Sequence, residues 1–112
     1  MTQVIEIASP WFEYIRDGSK TIEGRKGTPQ WKALRKGDWL HVVQKGGSDD
    51  FHVEITEIVE YPSLEACLKR VNLPMLLPGI TSYEDAYAVY LGYSTQAELN
   101  ANTFLALHIQ KL

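Results

Sequence analysis

The closing segment of this chain, Thr103 to Lys111, places the strongest constraint on its fold. Read at period two, Leu105, Leu107 and Ile109 face one way while Phe104, Ala106 and His108 face the other. A strand with large apolar side chains on both faces needs cover on both. It is expected as a central strand rather than an edge, with core in front of it and behind it.

The preceding residues supply the layers. Val4-Ile5-Glu6-Ile7 reads as a short strand. Ser9 offers a helix N-cap and Pro10 suits the first helical position. Trp11, Phe12 and Ile15 then share one face of a two-turn helix that Gly18 ends. Lys20 to Lys26 reads as a second strand, Gln30 to Leu34 as one helical turn and Trp39 to Val43 as a third strand. Gly46 to Asp50 has hairpin-loop composition. Phe51 to Glu60 alternates apolar and polar, with a bulge expected near Ile58. Ser63 opens a helix carrying Leu64, Cys67, Leu68 and Val71 on one side. Leu73 to Ile80, with Pro74, Pro78 and Gly79, reads as an irregular apolar loop. Thr81 with Glu84, and Thr95 with Glu98, have capping-box spacing. The first pair precedes a stripe of Tyr83, Ala86, Tyr87 and Tyr90, a pattern expected more often of a half-buried core face than of a stacking wall. Strands with segregated short helices predict an α+β domain, or a small barrel with helical excursions, over residues 1–112.

One segment departs from this apolar frame. Gly18-Ser19-Lys20-Thr21-Ile22-Glu23-Gly24-Arg25 follows the helix stop, and alternation puts Thr21, Glu23 and Arg25 on one face and Lys20, Ile22 and Gly24 on the other. Glu and Lys are depleted from strands. Either this is a solvated edge whose charges discourage pairing with another sheet, or it is a polar pocket reading an anionic or amide-bearing ligand.

Charge favours the pocket. The chain carries −3 overall, which argues against a general duplex-coating protein. Yet eight of its eleven basic residues lie between Arg16 and Lys45 against three acidic ones, a local +5 that leaves −8 elsewhere. Such a dipolar chain can present an anion-attracting face. No apolar run approaches the roughly 18 residues of a membrane span, and no secretory signal is seen. The single Cys67 cannot form an internal disulfide and is expected as a small buried hydrophobe in a reducing, cytoplasmic setting. His41, His52 and His108 have no paired metal-ligand spacing, so neither metal nor cofactor is expected. Phosphate-loop, dinucleotide and nucleophile-elbow motifs are absent. What remains is Lys20, Glu23 and Arg25, the Lys36 turn, and the aromatics Trp11, Phe12, Trp31, Trp39, Tyr87, Tyr90 and Tyr93. Cationic donors for phosphate or carbonyl oxygens, a carboxylate acceptor for an exocyclic amine and aromatic faces for stacking suit a base or nucleoside.

The run from Ser9-Pro10-Trp11-Phe12 through Ile15 and Gly18 to Lys20-Thr21-Ile22-Glu23-Gly24-Arg25 resembles the signature of the ASCH domain family. The likeness continues in Lys36-Gly37-Asp38, Tyr61-Pro62-Ser63-Leu64-Glu65, Leu77-Pro78-Gly79, the tyrosines from Tyr87 to Tyr93 and the closing strand. It implies a PUA-like fold, a partly open β-barrel with short helices packed on one side. It further implies a cleft that meets RNA or a modified base. Activities among similar proteins include nucleic-acid binding, RNA cleavage and hydrolysis of the acetyl amide of acetylcytidine. The amidohydrolase members are described with a Lys, a Thr three residues later and a later Glu. Lys20 matches the Lys, but Glu23 stands at the Thr position, and Glu84 is a guess at the later acid. The resulting expectation is an RNA- or nucleoside-binding domain using Trp11, Lys20, Glu23, Arg25, Lys36 and Tyr90. Hydrolysis through Lys20 and Glu23 is the alternative, and a structural or protein-interaction domain braced by those charges is the third reading.

Overall fold

The computed structural model describes residues 2–112. The chain runs β1 (Thr2–Ile7), α1 (Trp11–Asp17), β2 (Ile22–Lys26), α2 (Pro29–Lys32), β3 (Trp39–Gln44), β4 (Asp50–Tyr61), α3 (Leu64–Arg70), α4 (Leu73–Leu76), α5 (Tyr83–Leu91), α6 (Gln96–Ala101) and β5 (Phe104–Lys111). The strands form one sheet in the order β1-β3-β4-β5-β2. β1 lies parallel to β3, and all other neighbours are antiparallel.

β5 has a neighbour on each edge, as its double-sided apolar pattern requires. Leu105, Leu107 and Ile109 join Ile5, Phe12, Ile15, Leu40, Val42, Val53 and Ile55 in one core, roofed by α1. Phe104 and Ala106 join Ile22, Leu64, Cys67, Leu76, Ala86 and Leu99 in a second core, made with the helices between β4 and β5. Each large apolar side chain so buried contributes about 1.5–3 kcal/mol. The result is an α+β half-barrel of five strands with short helices clustered on one side, the PUA-like architecture.

Several local readings shift. Pro10, not Ser9, occupies the α1 N-cap, and the Ser9 hydroxyl donates to Glu13 instead. The β4 irregularity lies between Ile55 and Glu57, just before the expected Ile58. Leu73–Leu76 is a helical turn rather than an irregular loop. Pro74 is tolerated in a first turn, where its missing N–H has no partner to lose. That turn buries Leu76, and Leu77 just beyond it is buried too. The α5 cap is one residue later than expected: Ser82 Oγ accepts from Asp85 N. The Thr95–Glu98 capping box is present in full. Among the described residues no helix is long and apolar enough to cross a membrane.

Candidate functional site

The two outermost strands flank one recess. In β2, Thr21 O accepts from Ile109 N and Gly27 N donates to Thr103 O, so odd-numbered residues pair with β5. Antiparallel pairing alternates, so the backbones of Ile22, Gly24 and Lys26 turn to the open side. In β1, Ile7 O accepts from Lys45 N toward β3, while Glu6 O turns outward and accepts from Arg25 Nη2 at 3.1 Å. That Arg25 bond spans the gap between the sheet's two edges. The recess there has a volume of about 610 Å3, with Glu6, Trp11, Glu23, Arg25, Trp31 and Tyr90 in its wall.

Lys20 and Glu23 reach each other by a route that alternation does not anticipate. Gly18 ends α1 at a φ of 88°, in the left-handed region that favours glycine, and Lys20 N closes the turn onto Tyr14 O. The strand itself begins only at Ile22, so Lys20 is not held to a face of it. Its stem folds back, Nζ donates to Ile22 O at 2.5 Å and to Leu76 O, and it forms an ion pair with Glu23 Oε1 at 3.3 Å. Two carbonyl oxygens and a carboxylate surround the nitrogen, a set of acceptors that suits an ammonium. Lys20 is 2% exposed and Glu23 8%.

Glu23 is held from two sides. Burial pushes its carboxyl upward, but the charges of Lys20 and Arg25 and their hydrogen bonds outweigh that and hold it below the ordinary carboxylate range. Burial pulls the Lys20 ammonium down, against the attraction of Glu23. Glu23 therefore carries its charge at neutral pH and is a fixed acceptor. Arg25 Nε meets Glu23 Oε2 at 2.9 Å, and the guanidinium lies 5.1 Å from the centre of the Trp31 ring. Nη1 has no protein partner among the described residues.

Tyr90 meets Phe104 edge-on at 5.1 Å and 79°, and its hydroxyl sits against Gly24. Burial first, then the Glu23 charge, push the Tyr90 phenol well above its ordinary value, so it stays a neutral donor. With Trp31 covered on one face by Arg25, the aromatic surface left for stacking belongs to Trp11 and the 55%-exposed Tyr93. The stripe of Tyr83, Tyr87 and Tyr90 packs against the second core, as a half-buried face should.

Of the six candidate ligand-binding residues, Trp11, Lys20, Glu23, Arg25 and Tyr90 line the recess. Lys36 does not. The backbone around it is tied to β4 by Gly37 N to Ile55 O and Ile55 N to Asp38 O, and Lys36 lines a second depression instead. Lys20, although in the wall, is buried and turned onto Ile22 O, Leu76 O and Glu23. Glu84 is exposed on α5 and outside the recess. Trp31, Tyr93 and Lys45 line it without having been singled out as site residues. The basic window between Arg16 and Lys45, which contains Trp31 and Lys45, was the available signal for two of them. Cys67 is buried, and burial pushes its thiol up to about 12. No cluster of three or more metal-ligating side chains occurs among the described residues.

The ASCH domain family model matches residues 5–112. The chain belongs to the ASCH domain family. No curated protein matches it. Among solved structures, the crystal structure of the hypothetical protein PH0355 is 24% identical, with each chain covered in full and a TM-score of 0.88. Protein PF0455 from Pyrococcus furiosus, solved by solution NMR, is 25% identical over 100% of this chain and 98% of its own, with a TM-score of 0.77. The ASCH domain from Lactobacillus crispatus is 13% identical over 98% of this chain and 79% of its own, with a TM-score of 0.66. These likenesses carry the fold. In this ASCH domain the Lys20–Glu23–Arg25 cluster lies on the wall of the one recess flanked by both open strand edges.

Proposed function

We propose that this ASCH domain binds RNA or a modified nucleoside, one base at a time, in the recess between β1 and β2. The observation that carries this reading is Glu23, buried yet ionised, beside an Arg25 nitrogen and a Tyr90 hydroxyl that have no protein partner among the described residues. A fixed acceptor next to two donors matches the mixed hydrogen-bonding edge of a base, and each bidentate match discriminates by about 1–3 kcal/mol. Trp11 and Tyr93 supply the stacking surface, worth roughly 1–3 kcal/mol per base. In this arrangement Lys20 is a positioning residue: it keeps Glu23 charged and fixed.

The same geometry weighs against hydrolysis through Lys20 and Glu23. A general base should have a pKa near the working pH, and Glu23 is held the other way. A nucleophilic lysine needs a free lone pair, and Lys20 Nζ is buried against two carbonyl oxygens and the Glu23 carboxylate, which favour the ammonium. The third reading, charges that merely brace a strand, accounts for Lys20 but leaves the recess and the Arg25 Nη1 group without a role.

Titration with the four ribonucleosides, with acetylcytidine and with a short single-stranded RNA at low salt tests the proposal. Saturable binding is expected, weakened roughly tenfold by Trp11→Ala and by Arg25→Ala. No binding to any of these probes, or binding that both substitutions leave untouched, would overturn it.

A further inference from the structure

Lys36 was expected in the recess and lies elsewhere, and its surroundings define a second site. It lines a depression of about 530 Å3 together with Lys32 and Arg35, over an apolar floor that includes Leu34 and Ile58. Trp31 belongs to the walls of both this depression and the recess. One indole is thus the partition between two adjoining hollows, and the Arg25 guanidinium lies on its ring.

The cations around the partition differ in what holds them. Lys26 is paired with Glu98 and Lys32 with Glu60. The Arg35 guanidinium donates to the carbonyls of Lys32 and Leu34 while its backbone N–H donates to Asp38 Oδ2, and Lys36 and Lys45 have no ion-pair partner among the described residues. Lys45 lies at the recess, Arg35 and Lys36 at the second depression. Cations with no ion-pair partner among the described residues therefore stand on both sides of Trp31. Glu57 and Glu60 also line the depression, Glu60 already bound by Lys32 and Thr103. The lining thus holds three cations, Lys32, Arg35 and Lys36, against two carboxylates, a net positive charge.

We propose that the depression beyond Trp31 is a second subsite for the neighbouring nucleotide of a single strand, its linking phosphate held by Arg35 and Lys36. The ligand on this view is an oligonucleotide segment rather than a free nucleoside. The inference rests on the recess reading above. A nucleoside fills the recess alone and carries no phosphate, whereas a strand leaving it over Trp31 brings a negative charge to these cations. Lys and Arg contacts to phosphate bind without regard to sequence and make affinity depend on salt.

The test compares single ribonucleosides with a mixed-sequence single-stranded RNA hexamer, each titrated at 50 and 200 mM salt. Wild-type protein is expected to bind the hexamer at least tenfold more tightly than any nucleoside, with a steeper loss at the higher salt. Lys36→Glu is expected to weaken the hexamer about tenfold and to reduce the slope of log affinity on log salt by roughly one, with nucleoside affinity unchanged. Lys36→Gln should lie between. Lys36 is exposed and pairs with nothing described, so both variants should fold as the parent does. Hexamer binding that Trp11→Ala weakens but Lys36→Glu does not would overturn the second subsite and leave the recess standing. Equal affinity for hexamer and nucleoside would do the same. No binding of any probe would overturn both.

Discussion

Gly24 lies against the hydroxyl of Tyr90: a Cβ added at residue 24 would stand 2.6 Å from that oxygen and 2.8 Å from Phe104 Cε2. The glycine is there for space, since it is not among the residues with positive φ. It lets a phenol from α5 close down on the open edge of β2, and so sets the depth of the recess. Gly24→Ala is expected to destabilise the domain by about 1–3 kcal/mol through overpacking. Tyr90→Phe combined with it should recover part of that loss by removing the nearer of the two clashing groups. Urea unfolding of the two single variants and the double variant measures the coupling. Strict additivity would mean that the hydroxyl does not press on residue 24.

Lys20 and Glu23 should behave as one unit. Glu23→Gln leaves a buried ammonium facing two carbonyls and no carboxylate, and Lys20→Met leaves the carbonyls of Ile22 and Leu76 without their donor. Breaking one side of a buried ion pair costs about 3–5 kcal/mol. The double replacement Lys20→Met with Glu23→Gln is expected to cost clearly less than the sum of the two. A double-mutant cycle in urea decides this, and a coupling energy near zero would be contrary to the geometry.

Acid should loosen the fold through carboxylates held below their ordinary range, Glu98 and Glu23 alongside Glu13, Asp17 and Glu60. The Thr95 backbone, then Lys26 and the Thr95 hydroxyl, bring Glu98 from 4.5 down to about 2. Glu23 is depressed in the same direction by Lys20 and Arg25 in spite of its burial. A carboxylate depressed on folding binds fewer protons folded than unfolded. Its stabilising contribution is complete above the unfolded value and drains away as pH falls through the folded one. The urea midpoint is therefore expected to fall as pH drops from 4.5 toward 2. Glu98→Gln should flatten that fall, because the amide does not titrate; it keeps an oxygen to accept from Thr95 N but loses the charge attraction of Lys26 at every pH.

Cys67 is expected to be inert. Its thiol lies within the second core and burial pushes it up to about 12, so almost no thiolate exists at neutral pH. A maleimide reagent should label it only on unfolding, at a rate that rises with urea. Prompt labelling of the native protein at pH 7 would show that the second core opens locally.

Periodicity alone placed β5 in the interior, because an apolar residue on each face of a strand can be satisfied in one way only. The same local logic located the Gly18 helix stop, the helix start at Pro62-Ser63 and the Thr95–Glu98 box, where partners lie within four residues of each other. It also marked Lys20, Glu23 and Arg25 as unusual, since charges in a strand need an explanation that apolar residues do not. Alternation nevertheless sent Lys20 and Glu23 to opposite faces. A long side chain outside the strand obeys its own torsions and the nearest carbonyl oxygens, and one of those comes from Leu76, 56 residues away. Lys36 sits in a motif shared with the recess residues but is carried off by the pairing of its turn with β4. Composition and spacing thus determined which segments are strands, which strand is central and which side chains are candidates for chemistry, because these depend on contacts near in sequence. The curling of the sheet decided the rest. Only when β1 and β2 come to face each other does a recess exist, and only then does Trp31 become a wall between two hollows.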